Sequence, residues 1–347
     1  MDVTRNTAAT RVDENGLVNY AEVLGGEEVD DGDFANGETD WTFSAQCEVV
    51  NNQARILSTD GSFQYISQNN VFDTGKNYKL EFDIISSNGA TLGLGGGIPD
   101  VQTTTLGRKT IYTSSSVSYL QIKRSSGVTD VVIDNISVKE VTRDNVPRID
   151  YTGGGCPHIL AEPMRTNLIP YSEDFSSWTT VSATLTPNQL SPDGTNNAYI
   201  IEDDNASGFE RVDETITTTA TPCTLSVFIK KKTSSVSTYS GIQMGTGFSY
   251  LIFDSYNGTY NQSSNTNYDS IEVENFNSDW WKLKLTATVT TSTRVALWGA
   301  ISTNGTTINT SATGSETFWG AQLESGSYAT SYIPNFGTAL GVTRNQD

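Results

Sequence analysis

Histidine is nearly absent: His158 is the only one in 347 residues. Ser-His-Asp and Cys-His catalysis both need an imidazole base, so any such centre would have to be built on that residue. Cysteine is scarce too. Cys47, Cys156 and Cys223 are odd in number and far apart, which excludes a full disulfide framework and offers no paired zinc spacing. Basic residues are few, 21 Lys and Arg against 40 Asp and Glu, for a formal net charge of -19 at pH 7. Phosphate binding needs clustered cations that release counterions, so the charge argues against nucleic acid and no such partner is expected. The acidity reads as solubility. No apolar run reaches the length of a membrane span, so no membrane insertion is expected. Met1-Asp2-Val3-Thr4-Arg5 runs straight into polar sequence, and no secretory signal is expected from it. Finally, no stretch holds a 3.6-residue apolar period long enough for a helix.

What the chain does have is one phrase written twice. Gly32-Asp33-Phe34 followed by Trp41-Thr42 returns as Glu173-Asp174-Phe175 followed by Trp178-Thr179. Each copy opens a long run of alternating apolar and polar residues, closing on Val131 to Val141 and on Thr317 to Glu324. A spaced repeat of this kind means two copies of one folding unit. Tyr78, Leu80, Phe82 and Ile84 alternate with polar residues, as do Leu225, Val227 and Ile229, and Trp281, Leu283, Leu285, Ala287 and Val289. Many short strands divided by Ser, Thr, Asn and Gly turns predict an all-β chain of two tandem β-sandwich or jelly-roll domains. The length suffices for two separate cores.

A third repeat reads Val3-Thr4-Arg5-Asn6, Val141-Thr142-Arg143-Asp144-Asn145 and Val342-Thr343-Arg344-Asn345, at the start, the junction and the end. It marks module boundaries. Asp13-Glu14-Asn15-Gly16-Leu17 reads as a tight hairpin, Asn-Gly being favoured where both turn residues need positive φ. After the first domain come Val146 to Tyr151, a Gly153-Gly154-Gly155 turn, and His158 to Pro163. These flanks look like one small β connector into which the first domain is inserted. The expected boundaries are a hairpin connector over 1–26, the first jelly roll over 27–141, a connector over 142–169, the second jelly roll over 170–337, and a boundary segment over 338–347.

The runs Ala9 to Leu17, Pro147 to Tyr151 and Leu160 to Ile169 resemble the connector of modular tailed-phage virion proteins. Trp319-Gly320-Ala321-Gln322-Leu323-Glu324 with Gly326 to Pro334 resembles the closing signature of the same tail-fibre and head-fibre components. The first domain, with Asp33-Phe34, Trp41 and Ile133 to Val141, is similar to jelly-roll carbohydrate-binding modules. Together the matches cover most of the chain. The resemblance implies a virion location, reached at host lysis without Sec-type export, other virion proteins as partners, and a homo-oligomer with a trimer favoured. Phage fibres usually carry a virion-docking segment and often a trimeric coiled coil, and neither is visible in this sequence.

Catalysis finds little support. Cys156 and His158 would share a face of an extended strand, yet nothing nearby in sequence supplies an oxyanion hole or an orienting acid, and a structural histidine is the alternative. Paired carboxylates of the glycosidase type have many candidates and no motif that selects a pair. No catalytic residue is assigned, and the chain is read as a non-enzyme.

Sugar binding asks for exposed aromatic rings beside hydrogen-bonding groups. If Trp281 and Leu283 point inward, Trp280 lies outward with Lys282 and Lys284, because strand side chains alternate. By the same register Trp298 is outward beside Arg294, and Tyr250, Asp254 and Tyr256 lie opposite Leu251 and Phe253. Trp280, Trp298, Tyr250, Tyr256 and Asp254 are therefore the candidate carbohydrate-binding residues. The alternative is that a connector or a neighbouring subunit covers that face. Trp41, Trp178 and Trp319 sit in repeated positions and are expected in the core.

One metal cue exists. Asp134 alternates into the face of Ile136 and Val138, where a carboxylate must be paired or coordinated. The acidic stretch Glu27, Glu28, Asp30, Asp31 and Asp33 would return to it if the first and last strands pair. Asp134, Glu28 and Asp31 are the candidate Ca²⁺ ligands, a structural calcium being what the resemblance implies. The alternative is that Asp134 accepts backbone N-H bonds and the acidic run is solvated. The functional reading is a fibre or decoration protein that binds host-surface glycans or receptors. A purely structural spacer or capsid decoration, and a subunit of a polysaccharide depolymerase, are the competing readings.

Overall fold

The computed structural model describes residues 3–96, 98, 106–154, 156–219, 221–245, 250–262 and 268–347. Met1, Asp2 and Gly155 of the expected glycine turn lie outside them. Among the described residues every named element is a strand except one short 3-10 turn, Phe175–Ser177. No helix is long and apolar enough to cross a membrane. The strands fold into two compact units, one of residues 22–142 and one of residues 1–21 with 143–347.

The unit of residues 22–142 is a sandwich. One sheet runs in the order Gly107–Ser114, Asn77–Ser87, Thr129–Thr142, Gln53–Ser58, Glu48–Val50, with Val23–Glu27 paired to the far end of Thr129–Thr142. The other runs Thr42–Phe43, Tyr65–Gln68, Leu120–Arg124, Leu92–Leu94. All of these pairings are antiparallel. Tyr78, Leu80, Phe82 and Ile84 point between the sheets with Ile133 and Val138, as the alternation requires. The expected start at residue 27 is corrected: Val23 pairs with Thr142 and Leu24 with Val141, so the domain begins before that strand.

The second unit holds two six-stranded antiparallel sheets. The first runs Thr179–Val181, Arg211–Thr217, Ser292–Ser302, Tyr239–Met244, Tyr250–Asp254, Thr259–Gln262. The second runs Thr184–Gln189, Ala198–Asp203, Gly314–Ser325, Pro222–Lys230, Trp280–Thr288, Ser270–Asn275. The flanks read as separate connectors belong to this body. The hairpin Thr10–Val12 with Val18–Tyr20 docks through Val18 N-H, which donates to Pro192 O at 3.0 Å, and Arg165–Asn167 pairs with Val342–Arg344. The expected Asn-Gly turn differs in detail. Only Gly16 has positive φ (76°), and Asp13 organises the loop by accepting the amides of Asn15 and Leu17 at 2.9 Å each. Tyr20 and Arg143 flank the point where residues 22–142 leave and return, and the Arg143 guanidinium lies 5.0 Å from the Tyr20 ring centroid.

The twice-written phrase has a physical reading. In each unit a buried Phe packs on a buried Trp, Phe34 with Trp41 at 5.4 Å and Phe175 with Trp178 at 5.0 Å. Each indole N-H donates at 3.1 Å to a backbone carbonyl of a left-handed residue, Asp31 (φ 50°) in one unit and Tyr171 (φ 52°) in the other. A buried Trp needs such an acceptor, and a residue just ahead of the phrase supplies it both times.

Behind this motif in the second unit, Glu173 is buried among the Tyr332 hydroxyl, which donates to it at 3.0 Å, and the Asn197 amide at 2.8 Å. Burial, with Asp193 nearby, pushes its carboxyl up to about 8. Between the ordinary carboxyl range and that value, the folded chain keeps a proton that the unfolded chain has released. Its contribution is therefore complete in acid and is lost as pH rises through about 8. Glu316, pushed up to about 7 by burial despite Lys232 and Ser255, acts with the same sign. Glu173→Gln should raise Tm above the wild type at about pH 9, with the gain fading by about pH 5. Melting curves at the two pH values check this; an equal gain at both would show that Glu173 is not the titrating group.

Candidate functional site

The five aromatic-platform residues are placed differently from the sequence expectation. Parity along Trp280–Thr288 is as read: Trp281, Leu283 and Leu285 face the sandwich core, and Trp280, Lys282 and Lys284 face the other way. That other face is covered. Trp280 is only 3% exposed, packed with Val18, Ala198, Phe228, Trp319 and Tyr332. Trp298 is 2% exposed beneath Tyr250, whose ring meets it edge-on at 5.1 Å, with Tyr239 and Ile308 alongside. Both tryptophans are thus corrected from surface to buried, because segments distant in sequence close over them. Tyr250 is itself half-buried. Asp254 builds a turn, accepting Tyr256 N-H at 3.0 Å and Asn257 N-H at 3.1 Å. Tyr256 alone among the five is open, at 44%. Trp41, Trp178 and Trp319 are buried.

The calcium reading is corrected as well. Asn135 takes a left-handed conformation (φ 51°) and the register shifts between Asp134 and Ser137, so a bulge flips the alternation. Asp134 therefore lies opposite Ile133 and Ile136, half-exposed, where Gln53 Nε2 donates to it at 3.1 Å and Asn135 N-H at 2.7 Å. The acidic stretch does return to this strand, and Glu28 N-H donates to Val138 O at 2.9 Å. Its carboxylates are spent locally: Asp31 accepts Asn36 N-H at 3.0 Å, and Glu27 accepts Val138 N-H and the Ser137 hydroxyl at 2.6 Å each. Glu28 is exposed. Among the described residues no three His, Cys, Asp or Glu side chains converge to hold a metal ion. Asp134, Glu28 and Asp31 do not fit one.

His158 does gain an acid the sequence analysis lacked. In the short hairpin Ile149–Asp150 with His158–Ile159, Asp150 stands directly across from His158, and its Oδ1 is 3.7 Å from His158 Nε2. Asp150 is buried and accepts the amides of Val12 and Thr152 at 2.9 Å each. The cross-strand position follows from the glycine turn between the two segments, which was the available signal. Cys156 is exposed, and no hydrogen bond joins its thiol to His158 among the described residues.

The same hairpin forms one wall of an open cleft of about 250 Å³. The floor comes from the outer face of the strands Ser270–Asn275 and Trp280–Thr288, through Glu274, Lys282 and Lys284, with Phe276 and Phe228 as aromatic edges. The walls are Arg11 and Val12, Asp150, Thr152 and His158, and the segment Ala329 to Tyr332. The platform sought at Trp280 is therefore roofed, and the accessible part of that face is the neighbouring cleft. Lys284 is held by Glu272 and Glu274 at 2.9 and 2.8 Å. Lys282 is 9% exposed, its ammonium 5.3 Å from the Phe228 ring centroid. Sequence parity alone cannot distinguish a roofed outer face from an open one.

No protein family matches the sequence, and no curated protein does. Solved structures do match. The N-terminal CBM22-1-CBM22-2 tandem domain from Paenibacillus barcinonensis Xyn10C is 10% identical, with 92% of this chain and 100% of that one covered, at a TM-score of 0.30. An anti-sigma factor domain-containing protein is also 10% identical, with 75% and 90% covered, at a TM-score of 0.16.

Proposed function

We propose that the chain is a non-enzymatic appendage of a phage-type virion that attaches to host-surface glycans, with the cleft of the second unit as its sugar-facing site. The observation that carries this reading is the cleft itself: an open concavity walled by hydrogen-bonding side chains, with the half-buried Phe276 beside it, on the outer face of a sandwich sheet. The virion setting rests on the likeness of the connector runs to those of tailed-phage fibres. A glycan-array screen of the intact protein tests the proposal. At least one glycan class should be retained, and Thr152→Trp, which fills the mouth of the cleft from an exposed position, should reduce retention by about tenfold or more while leaving folding within about half a kcal/mol. Retention unchanged by that substitution would move the binding site elsewhere.

A structural spacer is the second reading, favoured by Phe336 at 70% and Leu340 at 92% exposure, apolar side chains suited to contact with another virion protein. Under that reading the array stays blank.

A further inference from the structure

The buried ammonium of Lys282 makes no direct ion pair: the acids that act on it, Glu274, Glu324 and Glu162, do so from a distance. It can donate three hydrogen bonds, yet its one acceptor is Thr330 O at a long 3.4 Å, supplemented by the Phe228 ring. Among the described residues no carboxylate lies within ion-pair distance of it. The acids around the cleft are already spent. Glu162 accepts from Arg148, Arg344 and Ser331 at 2.7–2.9 Å, Asp150 from the two amides above, and Glu274 from Lys284. A methionine would fill the same space without the cost of desolvating a cation. Burial accordingly lowers the lysine's pKa, against the opposing pull of Glu274 at longer range. A cation held at such cost, facing a cleft, is where an anion would complete the site.

We infer that the cleft receives the carboxylate of an acidic sugar residue, with the Lys282 ammonium as its partner; this rests on the glycan-binding reading above. The charge balance selects the class. Of the other cations lining the cleft, Lys284 is held by Glu272 and Glu274 and Arg11 by Ile149 O and Glu14, so the single remaining ammonium suits a singly charged carboxylate, whereas a phosphate or sulfate group calls for several converging donors. The volume, about 250 Å³, falls just below the usual range for drug-sized pockets and suits one ring, with Thr152 and His158 at the mouth to meet hydroxyls.

The test uses the full chain and four probes: sodium glucuronate, glucose, inorganic sulfate, and a short neutral peptide with a free C-terminal carboxylate. Binding is read by calorimetry and by amide chemical-shift changes at Thr330 and Ser331. Glucuronate should bind and shift both amides, and glucose, which differs at the carboxylate, should bind about tenfold more weakly or not at all. Lys282→Met should erase that preference without lowering Tm, because an apolar replacement of a buried charge is commonly neutral or stabilising. Should the variant fail to fold, the wild-type comparison of glucuronate with glucose decides alone. Equal binding of the two sugars, tighter binding of sulfate or of the peptide, or an unchanged preference in Lys282→Met overturns the inference. Neutral glycans retained on the array with no glucuronate binding would overturn it while leaving the adhesion reading in place; a blank array and no glucuronate binding would remove both.

Discussion

Glu162→Ala is expected to cost the second unit about 3–5 kcal/mol, because it strips the shared counter-ion from two buried arginines. Glu162 Oε2 accepts Arg148 Nη1 at 2.8 Å and Arg344 Nη1 at 2.7 Å, while Oε1 accepts Ser331 N-H at 2.9 Å. Asp347 closes the other side, accepting from Arg148 and Arg5. Arg5, Arg148 and Arg344 are all fully buried, so none can turn to water when its partner goes. Burial works against the charged form of Glu162, but Arg344 and Arg148 overcome it and hold the carboxyl below its usual range. That contribution is present at neutral pH and is lost as the carboxyl titrates in acid, opposite in sign to Glu173. Chemical denaturation of the variant reads the loss directly. A change below about 1 kcal/mol would mean that the arginines are hydrated, as in a surface ion pair.

Trp280→Ala is the second large effect, again about 3–5 kcal/mol, the usual cost of truncating a buried tryptophan. The indole is packed between the sheet and the segments carrying Val18 and Tyr332, so its loss leaves a cavity under the docked hairpin. Trp281→Ala should cost less, within about 0.5–3 kcal/mol, since that ring is half-buried, with its N-H bonded to Ser255 O at 2.9 Å and Lys231 above its face at 4.4 Å. Thermal melts of the two neighbours distinguish them. If Trp280→Ala melts like the wild type, the hairpin does not cover that face in solution.

The tryptophan pair also shows what the sequence makes legible. Strand alternation is local, so the assignment of Trp281, Leu283 and Leu285 to the core and Trp280 to the opposite face survives. The roof over Trp280 comes from Val18 and Tyr332, and that over Trp298 from Tyr239, Tyr250 and Ile308, long-range contacts that no periodicity encodes. Asp134 failed for a local reason instead. The asparagine after it is among the residues that tolerate positive φ, and the bulge there inverts the parity of Ile136 and Val138 relative to Ile133. The boundary phrase carried more than punctuation: its arginines at positions 5 and 344 join Arg148 in the buried ion network, and Arg143 stacks on Tyr20. The cleft is assembled from five stretches, around residues 10–18, 150–162, 228, 274–284 and 329–332, and only its lysines and His158 were in view beforehand.

The meeting of Tyr20 and Arg143 bears on how this architecture can change over time. To the host unit, residues 22–142 are a loop whose two ends are already held together. The entropy of closing a loop rises only with the logarithm of its length, and a folded insert with adjacent ends removes most of that cost. On loop-closure entropy alone, the host is therefore nearly indifferent to the length of chain carried at this point.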